Sequence, residues 1–460
     1  MTVELRPGER IEIEGLGLDE RGAGVAELEG HRVHVAGLLP GERASATVEH
    51  VSVHRVEGRR PVWARLETLT APSPERVAPV CPAHGPCGGC PLQHLDYAAQ
   101  VRWKGERVAE ALARHPALVR VPVAPCVPSA RVLGYRNQAK YVYGRDQATG
   151  RLVLGAYLPR SHAVVDMAGC RVVEPGLDLV AGVLRDLLEA RGVEPFDEVR
   201  RTGLLRYVAL RANAAGQVLV ALVAGRPWPE ATALAAELRS RLSRVSGVVL
   251  NVNAAHGNTV FGEEERLLDG QASLEDEIGP VRVELASRSF FQLNRETAGR
   301  AYHDLQQTAA ALGPIACAVD VYAGAGGIAF CLTPFAADVV AIEENLAATA
   351  AAAAFARNHG LPVRFVTADA AVALEQIPGA DLVVLNPPRG GCARDVLAAV
   401  GRLRPRLLAY LSCHPGTLAR DLEVLDRLGL TTREVRPYDM LPHTPHVEAL
   451  ALVSPVTAER

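Results

Sequence analysis

The sequence predicts a multidomain protein with a small all-β unit, a central α+β domain and a C-terminal α/β domain whose sheet is doubly wound and largely parallel. Three observations carry this prediction. Short strand-like segments alternate with glycine-rich turns in residues 1–68, strands and helices mix in residues 69–288, and apolar strands alternate with helical segments in residues 289–460. A chain of 460 residues is long enough to give each domain its own core.

The all-β unit is predicted from four short β-patterned segments, at residues 10–13, 22–26, 32–35 and 44–48, with a turn at residues 39–42. Short strands at this spacing are typical of a small barrel of the oligonucleotide-binding type. The same spacing also suits a barrel that serves only as a scaffold, so the strand pattern alone assigns no ligand.

Composition and the lack of targeting or membrane segments favour a soluble protein of the cytoplasm, and we expect it to be a monomer. No segment has the pattern of a secretory signal, and no apolar run is long enough to span a membrane. The net charge is −3, yet residues 97–151 contain ten basic and three acidic residues. This basic block suits contact with phosphate groups, although a solvated helix face would show the same pattern. Its members include Arg102, Lys104, Arg107, Arg114, Arg120, Arg131, Arg136 and Lys140.

A cysteine cluster near the start of the central domain predicts a metal centre. Cys81, Cys87 and Cys90 have the spacing C-x5-C-x2-C in a loop rich in Gly and Pro, and Cys170 is a candidate fourth ligand. Four thiolates bind either zinc or a [4Fe–4S] cluster. Other ligand sets stay open through two further side chains, His84 and Cys126.

A glycine-rich turn follows the first strand of the C-terminal domain. Gly324, Gly326 and Gly327 come after a strand ending at Asp320, and glycine lets the backbone turn tightly beside a ligand. Glu343 ends the next strand, where a carboxylate can accept hydrogen bonds from the ribose hydroxyls of an adenosine cofactor. The spacing is not G-x-G-x-x-G, which favours S-adenosylmethionine over a dinucleotide. The alternative role for Glu343 is a carboxylate at a helix N-terminus.

Polar residues at two further strand ends complete the predicted pocket. Asp369 follows the third strand and is placed to meet the adenine. Asn386, in the motif Asn386-Pro387-Pro388-Arg389, follows a fully apolar strand, and the two prolines aim its side chain and carbonyl rigidly at a planar group. Such a turn is common in methyltransferases that act on nucleobases, while a plain turn is the alternative.

Cys413 and Glu448 predict the chemistry. Cys413 follows a short apolar strand, and a thiolate there can add to carbon 6 of uracil, which makes carbon 5 reactive toward a methyl group. A base must then remove the proton from carbon 5, and Glu448 is the candidate. The alternatives are a small buried apolar residue for Cys413 and a surface carboxylate for Glu448.

These motifs together resemble the bacterial RNA 5-methyluridine methyltransferases, and most of all the iron–sulfur enzymes that act on 23S ribosomal RNA. The resemblance spans nearly the whole chain, and its most specific part is the run from Ser412 to Leu422. Further parts are the N-terminal glycine-rich turns and the segments 134–137 and 289–294. The resemblance implies a TRAM domain in residues 1–68 and a Rossmann-like methyltransferase domain in residues 289–460.

The same resemblance implies roles for individual residues. Cys413 would be the nucleophile and Glu448 the general base. A [4Fe–4S] cluster, rather than zinc, would be held by Cys81, Cys87, Cys90 and Cys170 and would serve folding and RNA docking. The side chains that would line the cofactor and base pocket are Gln292, Tyr322, Glu343 and Asn386.

Two positions depart from the family pattern. Asn386 stands where the family usually has Asp, and Gly327 stands where relatives often have a polar residue. Asn still accepts a hydrogen bond but carries no charge.

From the predicted chemistry and the resemblance together, we expect the substrate to be a uridine that flips out of RNA, with 23S ribosomal RNA favoured over transfer RNA. The alternatives are an amino-group methyltransferase that uses Asn386-Pro387-Pro388 and a non-catalytic RNA-binding protein.

Overall fold

The computed structural model describes residues 5–55, 60–147, 149–158, 161–257 and 259–456. The chain forms two compact units. The first contains the residues up to Trp103 together with Leu441–Pro445, and the second contains Lys104–Met440 and the residues from His446 onward. The division into three domains at residues 68 and 288 stays a prediction, as does the TRAM-type barrel. The predicted start of the first domain and the predicted end of the third fall in residues 1–4 and 457–460, which lie outside the described residues.

The first unit is built on a six-stranded sheet with the order β1-β5-β6-β4-β3-β2. Buried and exposed residues alternate along β1 and β4, so one face of each strand packs into an apolar core. The four segments predicted as strands overlap β1, β3, β4 and β5. The strands are β1 (Arg10–Glu14), β2 (Gly17–Leu18), β3 (Gly24–Leu28), β4 (His31–Ala36), β5 (Arg43–Val51) and β6 (Val62–Ala71).

The first half of the second unit is a mixed sheet with helices on one face. Helix α1 (Tyr97–Ala113) begins in the first unit and ends in the second, and a 3-10 turn at Pro116–Leu118 follows it. The strands and helices that come next are β7 (Gln138–Arg145), β8 (Leu152–Tyr157), β9 (Val164–Asp166), α2 (Pro175–Ala190), β10 (Leu205–Ala212), β11 (Val218–Ala224), α3 (Ala231–Arg241), β12 (Val245–Val252) and β13 (Glu264–Gly270).

The seven strands of this sheet have the order β13-β12-β11-β10-β7-β8-β9. Apolar residues of α2 and α3, such as Leu184 and Leu234, join one face of the sheet in a single buried core. Strands β10 and β11 are buried along their whole length because they lie in the middle of the sheet. A hairpin of β14 (Ser273–Ile278) and β15 (Val281–Ala286) follows in the chain.

The last part of the second unit is the predicted doubly wound α/β sheet. The five segments predicted as its parallel strands lie in β16 to β20. Its elements are α4 (Arg295–Ala311), β16 (Ile315–Val321), α5 (Gly327–Leu332), β17 (Ala336–Glu343), α6 (Leu346–Asn358), β18 (Val363–Thr367), α7 (Ala370–Glu375), β19 (Leu382–Leu385), α8 (Arg394–Leu403), β20 (Leu407–Ser412), α9 (Pro415–Arg427), β21 (Leu430–Tyr438) and β22 (Glu448–Pro455).

The strand order of this sheet, β18-β17-β16-β19-β20-β22-β21, creates a switch point between β16 and β19. From β16 the chain winds outward through β17 and β18, and then returns to the other side of β16 at β19. Strands β16 to β20 pair in parallel, whereas β22 runs antiparallel to both β20 and β21. Loops at the carboxyl ends of strands beside a switch point are where ligands bind in such sheets. None of the helices in the described ranges is long and apolar enough to cross a membrane.

Candidate active site

The carboxyl edge of the C-terminal sheet brings most of the predicted site residues together. Tyr322, Asn386 and Cys413 each come directly after a parallel strand, namely β16, β19 and β20, and Glu343 is the last residue of β17. Glu448 opens the antiparallel strand β22, in which Ala449 pairs with Ser412. Because β22 runs the other way, its first residue lies at the same edge as Cys413. The switch point between β16 and β19 is therefore lined by residues that the motifs predicted.

The glycine turn after β16 is held in shape by Glu343. One carboxylate oxygen of Glu343 accepts the backbone N–H of Gly324 at 3.0 Å, and the other accepts that of Asn345 at 2.9 Å. Gly324 and Gly326 have φ angles of 54° and 83°, which glycine adopts without strain. Each carboxylate oxygen has a second lone pair, so Glu343 can brace the turn and still accept ribose hydroxyls.

The other residues predicted around the cofactor have structural contacts of their own. Asp369 caps α7, where one of its oxygens accepts the N–H groups of Ala371 at 2.9 Å and Val372 at 3.2 Å. Gly327 is the first residue of α5, and a Cβ atom there would lie 3.2 Å from the Tyr302 hydroxyl oxygen. A side chain at this position, where relatives often have a polar residue, would therefore require the Tyr302 hydroxyl to shift by a few tenths of an ångström. An adenine contact by Asp369 stays a prediction.

Gln292 lies in the loop between β15 and α4, and a buried asparagine fixes this loop. The side-chain amide of Asn137 donates to the Gln292 carbonyl at 2.8 Å, and the Asn137 N–H donates to the Leu293 carbonyl at 3.0 Å. Asn137 is fully buried and belongs to the segment 134–137 that carried part of the family resemblance. The segment thus supports the loop that presents Gln292.

A carboxyl group that the motif analysis left without a role is buried below the glycine turn. Asp320, at the end of β16, accepts the Ala329 N–H at 2.9 Å through one oxygen, and its second oxygen is buried without a hydrogen-bond partner. Burial raises the pKa of Asp320 to about 8, and the nearby charge of Glu343 adds to the effect. Asp320 is therefore protonated at neutral pH and joins β16 to α5 as a neutral group.

The electrostatics of the chemistry site couple Cys413, Glu448 and Arg389. Burial raises the pKa of the half-buried Cys413 thiol, the charge of Glu448 raises it further, and Arg389 opposes both effects. Burial also raises the pKa of Glu448 to about 7, again opposed by Arg389. A carboxylate with a pKa near 7 is suited to take up and release a proton at physiological pH.

Arg389 has a neutral neighbour in His446. The guanidinium Nη2 of Arg389 lies 3.4 Å from the ring Nε2 of His446. Burial and nearby cations, Arg389 first among them, lower the pKa of His446 to about 4. The imidazole is therefore uncharged at neutral pH, so it can accept a hydrogen bond from Arg389 without repelling it. The sequence identified the motif that contains Arg389 but not its position beside the thiol and the base.

A buried carboxylate on α9 holds the loop between β19 and α8. Asp421 accepts the Cys392 N–H at 2.8 Å and the Tyr410 hydroxyl at 2.7 Å. On the same helix, the Thr417 hydroxyl donates to the Arg389 carbonyl at 3.2 Å, and Arg420 donates to the Gly390 carbonyl at 2.9 Å. The loop that carries Asn386 and Arg389 is thus fastened to the helix that follows Cys413. No motif predicted this brace, although Asp421 lies inside the run from Ser412 to Leu422.

The predicted metal ligands are divided between the two units. Cys81, Cys87 and Cys90 belong to the first unit, and Cys170 belongs to the second, where it packs against the helix-covered core. Across the described residues, no three His, Cys, Asp or Glu side chains form a group that could hold a metal ion. The metal centre therefore gains no support from the described residues and stays a prediction.

The basic block was predicted to contact phosphate, and one of its members cannot do so. Lys104 is fully buried, and its ammonium lies 2.5 Å from a carboxylate oxygen of Asp439. Arg131 and Arg145 pair with the acidic side chains of Glu296 and Glu194 at 2.8 Å and 3.2 Å. The prediction is therefore wrong for Lys104, because long-range packing turns that cation into part of the interior.

Comparison with known proteins agrees with this arrangement and defines the class as methyltransferase. No family model matches the chain. A crystal structure of the Pyrococcus abyssi tRNA (uracil-54, C5)-methyltransferase in complex with S-adenosyl-L-homocysteine superimposes with a TM-score of 0.75 and 25% identity. It covers 97% of this chain and all of that one. The likeness runs over both units rather than over the α/β sheet alone.

Sequence relatives define the family. An uncharacterized RNA methyltransferase of Geobacter sulfurreducens is 37% identical over 97% of this chain and 90% of its own length. Another, from Halalkalibacterium halodurans, is 33% identical over 95% of each chain. This chain belongs to the RNA methyltransferase family of these relatives, and the match to the uracil-C5 enzyme is consistent with the 5-methyluridine branch that the motifs indicated.

Proposed function

We propose that the protein transfers a methyl group from S-adenosylmethionine to carbon 5 of a uridine in RNA through a covalent bond between Cys413 and the uracil. The observation that carries this proposal is the position of a thiol and a carboxyl group with a pKa near 7 at adjacent strand ends of a methyltransferase sheet. The whole-chain likeness to a uracil-C5 methyltransferase supports the same reaction. S-adenosylmethionine, when bound, supplies an electrophilic methyl group and leaves as S-adenosylhomocysteine.

The residues of the site divide the reaction between them. Cys413 gives up its thiol proton to solvent, helped by the positive charge of Arg389, and its sulfur adds to carbon 6 of the flipped uracil. The electron pair so released makes carbon 5 the nucleophile that takes the methyl group. Glu448 then removes the proton from carbon 5, and the returning electron pair expels the Cys413 thiolate.

Positioning of the cofactor falls to the glycine turn and its neighbours. Glu343 shapes the turn at Gly324 and has lone pairs left for ribose hydroxyls, while Tyr322 and Asn386 flank the switch point. Gln292 belongs to the loop that Asn137 holds, and we assign its side chain to the same pocket. Phe290, two residues before Gln292, is 73% exposed, and an exposed aromatic ring in this loop can stack on a base of the RNA.

One experiment tests the covalent chemistry directly. RNA containing 5-fluorouridine has no removable proton at carbon 5, so the adduct should persist and appear as a slower protein band in a denaturing gel. Wild-type protein with S-adenosylmethionine should form the adduct, and Cys413→Ala should not. An adduct that survives in Cys413→Ala, or wild-type activity without any adduct, contradicts the mechanism. Full activity of Cys413→Ala would instead favour methylation of an amino group through Asn386-Pro387-Pro388.

The RNA substrate has two candidates, each supported by one observation. The motif resemblance favours 23S ribosomal RNA, and the likeness to the Pyrococcus abyssi enzyme favours transfer RNA. Methyl transfer to purified ribosomal and transfer RNA from a strain lacking this protein, followed by nucleoside mass spectrometry, separates them. We expect 5-methyluridine in ribosomal RNA. The [4Fe–4S] cluster is tested independently by iron and sulfide content after anaerobic purification, with Cys87→Ser as the control.

A further inference from the structure

Tyr322 has a backbone conformation that a bulky residue rarely adopts. It follows the last residue of β16 and comes just before the glycine turn, and its φ angle of 68° lies in the left-handed region. A Cβ atom there is crowded by the neighbouring carbonyl oxygen. Such strain persists only where the surroundings hold the side chain, and it is concentrated at functional sites. The conformation therefore indicates that the Tyr322 side chain is held in one direction.

The Tyr322 hydroxyl is held by the thiol of Cys392. Cys392 lies near the end of the loop between β19 and α8 and is 6% exposed. Burial raises the pKa of Tyr322, and the charge of Cys392 and a hydrogen bond between the two side chains raise it further. Burial also raises the pKa of Cys392 to about 12. Both groups therefore keep their protons at neutral pH, and each brings one donor to the contact.

The Cys392 thiol extends this contact to the buried carboxylate on α9. It is also hydrogen-bonded to the hydroxyl of Tyr410, which donates its single proton to Asp421 at 2.7 Å. Tyr410 can therefore only accept from the thiol, and the thiol in turn accepts from Tyr322. The backbone N–H of Cys392 donates to the same carboxylate at 2.8 Å. A row of hydrogen bonds thus runs from Tyr322 through Cys392 and Tyr410 to Asp421.

This row joins the two strand ends that flank the switch point. Strands β16 and β19 are paired, and the N–H of Asn386 donates at 3.3 Å to the carbonyl of Val321, the residue before Tyr322. The loop that starts at Asn386 is thus tied to β16 at its beginning and, through Cys392, near its end. The brace described above holds the same loop from α9. Tyr322 adds an anchor from the strand that leads into the glycine turn.

Arg389 is the side chain in this loop that acts on the nucleophile. Burial raises the pKa of the Cys413 thiol and the charge of Glu448 adds to this effect, whereas the charge of Arg389 and a hydrogen bond from it lower the pKa. The neighbour of Arg389 at 3.4 Å, His446, is uncharged at neutral pH. Because the attraction between charges falls with distance, a displaced Arg389 would leave the thiol less acidic.

We propose that Tyr322 is a positioning residue for the nucleophile, and that it acts through the Cys392 thiol to hold residues 386–392 so that Arg389 stays beside Cys413. The inference rests on the proposed function, because it takes Cys413 as the group that attacks the uracil. This role is additional to the place in the cofactor pocket that the family resemblance implies for Tyr322. It also gives Cys392, which no motif explained, a function as a hydrogen-bonding group.

The test measures the acidity of the Cys413 thiol in the absence of substrate. The full-length protein is treated with iodoacetamide over a range of pH, and mass spectrometry of the peptide that contains Cys413 gives the alkylation rate of this thiol alone. Because the thiolate is the reacting form, the midpoint of the pH profile reports the thiol pKa. In Tyr322→Phe and in Cys392→Ala, the midpoint should move to higher pH and the rate at pH 7 should fall about threefold. Cys392→Ser keeps a donor and an acceptor and should stay close to the wild type.

Two further variants separate positioning from general damage to the fold. Tyr157→Phe removes a partly buried hydroxyl from β8 and should be alkylated like the wild type. The double variant Tyr322→Phe/Cys392→Ala should match each single variant, because all three interrupt the same row of hydrogen bonds. Additive losses in the double variant would overturn the proposal. If Tyr322→Phe does not fold, the contrast between Cys392→Ala and Cys392→Ser decides.

The positioning role and the proposed reaction fail in different ways. An unchanged midpoint in Tyr322→Phe and Cys392→Ala would overturn the positioning role, even while the wild-type protein forms 5-methyluridine in RNA. Conversely, a midpoint that moves to higher pH in these variants, with no 5-methyluridine formed by the wild type, would overturn the proposed reaction and leave the positioning of Arg389 by Tyr322 standing.

Discussion

Tyr410 donates its hydroxyl proton to Asp421 at 2.7 Å, and this hydrogen bond joins the strand that ends just before Cys413 to the helix that begins just after it. The same carboxylate accepts the backbone N–H of Cys392, at the end of the loop that carries Asn386 and Arg389. One buried group therefore sets the spacing between Cys413, the guanidinium of Arg389 and the turn at Asn386. Asp421 touches none of the reacting atoms and acts by positioning.

Replacing Asp421 with Asn should slow the reaction more than it weakens ligand binding. The amide has one acceptor oxygen in place of two, so at least one hydrogen bond to Tyr410, Cys392 or Arg420 is lost, at a cost of about 1–3 kcal/mol in stability. We expect single-turnover methyl transfer to slow about tenfold or more, while the affinity for S-adenosylmethionine stays constant. Asp426→Asn, on the same helix, is the matched control. Equal rates in the two variants would rule out the positioning role.

Glu448 should give the reaction a pH dependence centred near 7. The carboxyl group acts as a base only when ionised, and its pKa of about 7 leaves about a tenth of it ionised at pH 6. The rate of methyl-product release should therefore rise with pH between about 6 and 8. In Glu448→Gln, the methylated adduct should accumulate on the protein because proton removal fails, which gel electrophoresis with ordinary uridine RNA detects. Rapid turnover without adduct in this variant would exclude Glu448 as the base.

Glu343 and Glu344 offer a matched pair of neighbouring carboxylates. Glu343 braces Gly324 and faces the switch point, whereas Glu344 is exposed. Glu343→Gln should weaken the binding of S-adenosylmethionine about tenfold in calorimetry, because a charged acceptor of hydrogen bonds becomes a neutral one with a single oxygen. Glu344→Gln should bind like the wild type. If both variants lose the same affinity for S-adenosylmethionine, the loss comes from removing a negative charge near the site and not from losing a hydrogen bond to the ribose.

Asp320 should make the fold less stable as the pH rises. The unfolded chain ionises this group near its ordinary pKa of 3.8, and the folded protein keeps it protonated up to about 8. The unfolded state thus binds fewer protons between these values, so the free energy of unfolding falls as the pH increases from about 4 to 8. Asp320→Asn should remove the part of this dependence that Asp320 contributes, while Glu448, whose pKa is also raised by burial, keeps its own part.

The free energy of unfolding of Asp320→Asn, measured in urea relative to the wild type, should therefore be higher at pH 8 than at pH 5.5. Asp426→Asn, a partly exposed carboxylate, should show no such difference. A constant difference between the Asp320 variant and the wild type at the two pH values would mean that Asp320 is ionised in the folded protein.

The ends of the strands at the site could be predicted because each apolar run is followed by glycine or proline residues, which interrupt a strand. The glycines after Asp320, the prolines after Asn386 and Pro415 after Cys413 all interrupt buried strands, and local propensity registers such breaks. Their meeting at one edge follows once the strands are parallel. The family resemblance supports the roles that the motifs predict for Cys413 and Glu448, and the structure places these residues at neighbouring ends of β20 and β22.

Contacts between distant parts of the chain could not be predicted in this way. Asn137 and Gln292 are 155 residues apart, and Lys104 and Asp439 are 335 apart. A single sequence shows no periodicity or spacing that relates such pairs, so Lys104 was grouped with exposed cations. The Asp421 brace was missed for a similar reason, since a carboxylate in a helix is usually exposed. The cysteine cluster remains a prediction from spacing, because the described residues contain no group of three or more metal-binding side chains that would support it.

The pairing of Ser412 with Ala449 has a consequence for how this protein can change over evolution. The distance from Cys413 to Glu448 is set by the hydrogen-bond ladder between β20 and β22, and not by the length of chain between them. Insertions at the turn after α9, near Gly429, should be tolerated because the ladder keeps its register. An insertion of a single residue within β22 would turn every following side chain to the opposite face of the sheet. Relatives should therefore vary in length between these two residues while the strand beginning at Glu448 stays free of insertions.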